Sequence, residues 1–216
     1  MNHSARRLSK FDMLIIELDK GMRTAFGPAP KADRPNPARN IEKTELGRSD
    51  TDLASRFMRI NHAGEICAQG LYQGQAMTAR LPKVREKMEE AAKEENDHIA
   101  WTADRIRELG GHTSYLNPLW YAGSFSLGAL AGLAGDRWSL SFVAETEKQV
   151  VRHLDNHLSR LSQEDKKSRA ILEQMKIDEG KHATTAIGAG AAQFPRPVQK
   201  LMQFTSRIFT GTTFWI

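Results

Sequence analysis

The sequence predicts an all-α protein built on a four-helix bundle, and three observations carry that prediction. Apolar residues recur at helical spacing over four stretches of about 25 residues each. No stretch sustains the period-two alternation that a half-buried strand shows. Short links join the helices within each of two pairs, while one long crossover, residues 110–136, separates the pairs.

A helix ahead of the bundle is expected over residues 9–26. Phe11, Leu14, Ile15, Leu18 and Met22 fall on one face there, and Gly27-Pro28 ends it. Pro28, Pro30, Pro35 and Pro37 then stand among charges, so residues 28–49 read as an extended linker. Asp50 or Thr51 is placed to cap the first bundle helix, which runs to about Arg80 and breaks at Leu81-Pro82. The second covers residues 83–109 and ends at Gly110-Gly111. A loop with Pro118 leads into an apolar stretch, residues 119–134, interrupted by Gly123, Ser124, Ser126, Gly128 and Gly132. A spanning helix needs about 20 mostly apolar residues, so this stretch is not read as transmembrane. The third and fourth bundle helices are expected over 137–161 and 163–187, with Gly188, Gly190 and Pro195 ending the last. A final amphipathic helix follows over 197–209. The chain thus divides into an N-terminal helix and linker (1–49), the bundle (50–190) and a C-terminal segment (191–216).

Composition narrows the function classes. The chain has 216 residues, 40% hydrophobic and 26% charged, which suits one globular domain. Its single cysteine, Cys67, excludes an internal disulfide and a thiolate-rich metal site, and reads as a small buried apolar residue. The first 20 residues lack the apolar core of a secretory signal, and Asp12, Glu17 and Asp19 argue against a transit peptide. The net charge is +5. Beyond Glu179 there is no acid, but Lys181, Arg196, Lys200 and Arg207. In the last helix Val198, Leu201, Met202, Ile208 and Phe209 form an apolar stripe beside polar positions, and Phe214-Trp215-Ile216 closes the chain. This pattern fits an anionic membrane surface, with a helix packed on the bundle as the plainer alternative. Elsewhere bases and acids are mixed, which disfavours nucleic acid as a partner.

The chemistry lies in a repeated spacing. The second bundle helix contains Glu95-Asn96-Asp97-His98 and the fourth Glu179-Gly180-Lys181-His182. Residues i and i+3 share a helix face, so each carboxylate and imidazole can reach one metal. About 30 residues earlier in each half stands a further acid: Glu65 in the first, and Glu147 or its competitor Glu145 in the second. Two helical hairpins facing each other then supply four carboxylates and two imidazoles, the ligand set of carboxylate-bridged di-iron bundles with a ferritin-like fold. Oxygen and nitrogen donors suit iron or manganese, and the anions offset the metal charge. Asp178 and Glu94, each just ahead of a motif glutamate, are placed to bond the outer nitrogen of a ligand histidine. Glu89, Glu90 and Asp97 read as a solvated face, and His62 as a packing histidine. His153 and His157 lack the Glu of a His-Glu-x-x-His zinc motif.

Longer strings around these residues resemble a known family. Arg59-Ile60-Asn61-His62-Ala63-Gly64-Glu65 and then Gly70-Leu71-Tyr72-Gln73-Gly74-Gln75 resemble the first-helix signature of the di-iron demethoxyubiquinol hydroxylases of ubiquinone biosynthesis. Glu95 to His98, Glu147 with His153 and Asn156, and Asp178 to His182 resemble the other three motifs, so the likeness covers roughly residues 50–190. The resemblance implies a monooxygenase that uses O2 and two iron ions to hydroxylate the aromatic ring of 3-demethoxyubiquinol. It selects Glu147 over Glu145 and gives the metal ligands as Glu65, Glu95, His98, Glu147, Glu179 and His182. It implies a polyprenylated quinol as substrate, the cytoplasmic face of a bacterial inner membrane as location, and other ubiquinone-biosynthesis proteins as partners. Some relatives carry tyrosine directly after the third-motif histidine; Leu154 stands there in this chain, so no role of that tyrosine transfers. For a polyprenyl tail, residues 119–134 are candidates to line a channel or dip into lipid, against ordinary bundle core. The competing readings are a ferritin-like iron-storage or ferroxidase protein, a peroxide-scavenging di-metal protein, and a metal-free structural bundle.

Overall fold

The computed structural model describes residues 9–216. Among the described residues there are seven helices and no strand: α1 (Lys10–Phe26), α2 (Arg48–Thr78), α3 (Pro82–Glu108), α4 (Asn117–Ala134), α5 (Asp136–Arg160), α6 (Lys166–Gly188) and α7 (Arg196–Thr213). Helices α2, α3, α5 and α6 are the four long rods expected from periodicity. Among the described residues no helix is long and apolar enough to cross a membrane.

The ends of the helices follow local chemistry, with two departures from expectation. Ser9 and Asp12 form a reciprocal capping box on α1. The side chains of Phe11 and Leu14 lie outside the described residues, while Ile15, Leu18 and Met22 are exposed. Neither Asp50 nor Thr51 caps α2. The helix starts earlier, behind Gly47, and the Thr51 hydroxyl donates back to the Gly47 carbonyl from inside the first turn. Helix α6 starts three residues later than expected because Asp165 accepts a hydrogen bond from the Ser168 amide, at 3.0 Å.

The crossover is itself helical. Residues 117–134 carry no readable period because apolar residues stand on every side, yet they form α4, which lies along α2. Gly70 and Gly74 of α2 face Tyr121 and Phe125, and Gly128 and Gly132 of α4 face Leu71 and Thr78. Leu119, Leu127, Leu130 and Leu133 point to the outside.

The two larger apolar clusters of the bundle core have a polar layer between them, and a small third one joins Ile66, Ile99 and Tyr121. At one end Phe57, Met58, Ile60, Trp101, Ile106, Leu154, Leu158, Ile171, Leu172 and Met175 pack together. At the other end Tyr72, Ala76, Val84, Met88, Leu140, Val143, Ala144 and Ala186 do so. On α2 the chain passes from the first cluster through Glu65 to the second. On α3 it passes from the second through Glu95 and His98 to the first. Helices α5 and α6 repeat the passage through Glu147 and through Glu179 and His182. Antiparallel packing of the four rods therefore sets all six side chains at one height in the bundle.

The Pro-rich segment 28–49 packs against this bundle. Ala38 is buried in the first cluster, with Ala32 beside it. The Asp33 and Arg34 amides donate to Oδ1 of Asp97 on α3, at 2.7 and 3.3 Å.

Candidate metal centre

The structure brings Glu65, Glu95, His98, Glu147, Glu179 and His182 together in the middle layer. Two groups of donors, Glu65/Glu95/His98/Glu179 and Glu147/Glu179/His182, each have ligand atoms within 4.8 Å of one another and can hold a metal ion. Five of the six residues are buried, and the His182 side chain is 11% exposed.

Both imidazoles turn Nδ1 inward. His98 Nδ1 lies 2.9 Å from Oε2 of Glu95 and 3.2 Å from Oε1 of Glu179. His182 Nδ1 lies 3.4 Å from Oε1 of Glu95 and 3.5 Å from Oε2 of Glu179. Each of these two carboxylates thus reaches one histidine with one oxygen and the second histidine with the other. Glu65 approaches only the His98 side, at 3.8 Å. Glu147 lies on the His182 side and accepts a hydrogen bond from the Tyr72 hydroxyl.

The outer nitrogens are held crosswise. His98 Nε2 lies 3.2 Å from Oδ2 of Asp178, the acid ahead of the other motif, and His182 Nε2 lies 2.7 Å from Oε2 of Glu94. Asp97 is not on a solvated face: it is buried, and the backbone and guanidinium of the linker satisfy it. Glu89 and Glu90 are exposed. Glu145 and Glu147, inseparable by spacing, part company in the structure, because Glu145 bonds Gln149 and pairs with Arg152 instead of facing the layer.

Four carboxylates in a dry layer cannot all stay charged without cations. Burial, and then the Glu95 charge, pushes the Glu65 carboxyl well above its usual range; burial and the Glu179 charge do the same to Glu147. Burial alone would strip the histidines of protons, but the surrounding carboxylates outweigh it and raise both, His182 to about 12. Without metal, protons do the neutralising. Oε1 of Glu95, Oε1 of Glu179 and Nδ1 of His182 are buried and lack a hydrogen-bond partner. Oxygen and nitrogen donors aimed inward with nothing to bond are what a buried cation requires. The donor set fits a hard or borderline metal.

Three sequence features stay outside this layer. His62 is buried with Nδ1 unpartnered, and burial lowers its pKa to about 4, so it is neutral. His157 stacks on Phe57 and bonds Asn61, while burial holds His153 down at about 4; among the described residues no carboxylate joins either. Cys67 is half-buried rather than buried, and desolvation raises its thiol to about 12. One contributor was legible but unassigned: Tyr72 stands seven residues after Glu65, two turns on along the same face.

Beside the layer a cavity of about 1380 Å³ opens between α1, α2 and α3. Ile66, Ile99 and Met88 give it apolar wall, and His62, Gln69 and Tyr72 line it as well. Tyr72 is shared between this cavity and Glu147.

Residues 52–213 match a family model described as ubiquinone biosynthesis protein COQ7. The chain is 54% identical to a 3-demethoxyubiquinol 3-hydroxylase of Nitrosococcus oceani over 98% of its own length and 99% of the relative's. Proteins of the same name from Laribacter hongkongensis and Azotobacter vinelandii are 54% and 53% identical, over 95% and 98% of this chain and 99% and 98% of theirs.

Proposed function

Because the chain belongs to the COQ7 family of ubiquinone biosynthesis proteins, we propose that it is a 3-demethoxyubiquinol hydroxylase, an O2-dependent oxidoreductase that works through two iron ions in the middle layer of its bundle. The observation that carries the reading is the crosswise reach of Glu95 and Glu179, each touching both histidines. Two ions would be held there, Glu65 and His98 serving one and Glu147 and His182 the other, with Glu95 and Glu179 in reach of both histidines. The names of the relatives speak for hydroxylation and against iron storage.

The iron pair supplies activation of O2. In the net reaction one oxygen atom converts a ring C–H to C–OH, and the other leaves as water with two electrons and two protons from a reductant. The rest of the task falls to side chains. The cavity beside α2 is of a size to take the quinol ring and part of a prenyl chain. Ile66, Ile99 and Met88 would give the ring an apolar wall there. Burial and then the Glu147 charge keep the Tyr72 hydroxyl protonated, so it donates to Glu147 and fixes that carboxylate at the cavity's edge. The test is to supply 3-demethoxyubiquinol, O2 and a reductant to iron-loaded protein. The expected product is heavier by one oxygen atom, and its absence with two irons bound would refute the reading.

A tailed quinol calls for contact with a bilayer, and we place this chain at the cytoplasmic face of the inner membrane, within reach of other proteins of the pathway. The support is an outward apolar surface. On α7, Val198, Met202 and Phe209 are partly covered and Phe209 packs on Trp120, whereas Leu201, Phe204 and Ile208 are exposed beside Lys200 and Arg207. The helix therefore caps the bundle with one side and offers lipid the other. Replacing Leu201, Phe204 and Ile208 together by serine is expected to lower sedimentation with anionic vesicles at least about 10-fold, since each buried side chain contributes about 1.5–3 kcal/mol. Unchanged partitioning would exclude α7 as the contact. Substitution is preferable to truncation because Thr213 is buried and Phe214 packs against the first apolar cluster.

A further inference from the structure

We propose that Arg34 is a positioning residue for the metal at His98, and that it makes the two metal positions unequal. The inference rests on the ligand set of the preceding section.

Arg34 lies in the Pro-rich segment, far from every motif in sequence, yet it spans the seam between α3 and α6. Its Nε donates to Oδ2 of Asp97, and one terminal nitrogen donates to Oδ2 of Asp178 at 2.8 Å. That same Asp178 oxygen lies 3.2 Å from Nε2 of His98, whose Nδ1 faces the metal layer. The other terminal nitrogen of Arg34 lies 3.4 Å from the same ring nitrogen. The guanidinium also sits 4.9 Å above the ring of Trp101, which packs one turn along from His98. Gln174 and Lys181 hold the second oxygen of Asp178. The path is continuous: the linker backbone fixes Asp97, Asp97 and Asp178 fix the guanidinium, and the guanidinium fixes the carboxylate that orients the His98 ring.

Among the described residues the second histidine has no counterpart to this arrangement. His182 Nε2 meets Glu94, whose side chain is 53% exposed, against 3% for Asp178. A carboxylate in water is screened and pays rotamer entropy to stay in place, whereas a buried one held by three further donors is preorganised. The fork of an arginine is needed because it bonds two carboxylates on two helices at once. The ion shared by Glu65, Glu95, His98 and Glu179 is therefore held more tightly than the one at Glu147, Glu179 and His182. The linker, by closing over the seam, takes part in building the metal site.

Anaerobic titration of the full-length metal-free protein with Fe(II), followed by Mössbauer spectra of the loaded samples, tests this without any quinol present. The unaltered chain is expected to bind two ions in resolvable steps. Arg34→Ala should weaken the tighter step about 10- to 100-fold and shift one of two spectral components, leaving the weaker step in place. Arg34→Lys should recover only part of the loss, since one ammonium cannot hold both carboxylates. Asp178→Asn, which keeps the side-chain volume, should reproduce the selective loss should Arg34→Ala fold poorly, and Glu94→Gln should affect the other step. Equal weakening of both steps, no change in either, or Arg34→Ala and Glu94→Gln acting on the same step would overturn the proposal. A chain that binds no pair of ions at all would instead sink the ligand set beneath it.

Discussion

Glu179→Ala is expected to reduce bound iron from about two ions per chain to less than one and to abolish hydroxylation. Glu179 is the one carboxylate common to both donor groups, and its two oxygens reach the two histidines separately. Its loss leaves the Glu95, His98, Glu65 set short on one side and the Glu147, His182 set short on the other. Loss of an outer partner of a metal ligand costs about 10- to 100-fold in affinity or activity, so loss of a shared ligand should exceed 100-fold. Metal analysis of the purified variant together with product formation from 3-demethoxyubiquinol measures both quantities. The matched control is Glu145→Ala. That side chain neighbours Glu147 in sequence but bonds Gln149 and Arg152, so activity should stay within about 3-fold of the unaltered chain, as expected where only partly exposed ion pairs are lost. Full iron and full turnover in Glu179→Ala would remove the basis for the di-iron reading. Collapse of Glu145→Ala would show that the two acids had been assigned the wrong way round.

That control marks where sequence reasoning stops. The four long rods were legible because each carries a stripe of apolar residues at helical spacing, interrupted once, at the same height, by acids and histidine. The pairing of Glu-x-x-His with an acid about 30 residues earlier is a consequence of two antiparallel rods of similar length, so it survives in one dimension. Asp178 and Glu94 were readable as outer partners for the same reason, each adjoining a motif. What sequence could not give is which histidine each would serve, because the crossing arises only when the two hairpins face each other. Arg34 and Asp97 were out of reach. Their contact spans 63 residues, and an Asp in a run of acids resembles a solvated face until a guanidinium from elsewhere buries it. Helix α4 escaped for a different reason. Periodicity reports a contrast between buried apolar and exposed polar residues, and residues 117–134 bury glycine while exposing leucine.

That inversion gives two glycines of α4 opposite tolerance, and the same substitution at each should have opposite effects. A Cβ at Gly128 would lie 2.2 Å from the carbonyl oxygen of Leu71, a backbone atom on α2 that cannot swing aside. A Cβ at Gly123 would meet nothing within 4 Å. Gly123→Ala is expected to stabilise the chain by about 0.5–1 kcal/mol, the ordinary gain of replacing glycine inside a helix. Gly128→Ala receives the same gain but must part the two helices, at the upper end of the 1–3 kcal/mol that overpacking costs, and should destabilise the chain by about 2 kcal/mol. For a chain of this size each kcal/mol corresponds to roughly 2–4 °C in Tm, so the two variants should fall on either side of the parent by thermal denaturation. The damage should extend to function, because α2 connects the two regions. Leu71 precedes Tyr72, which bonds Glu147, and Gln73 accepts from Tyr121 of α4 while donating to Gln69 on the cavity wall. Displacing α2 at Leu71 shifts Tyr72 against its carboxylate, and a 1 Å misplacement far from the chemistry can cost about 100-fold in rate. Gly128→Ala should therefore lose turnover at temperatures where it remains folded, whereas Gly123→Ala should retain it. Equal Tm values for the two variants would mean that α4 does not lie this close to α2.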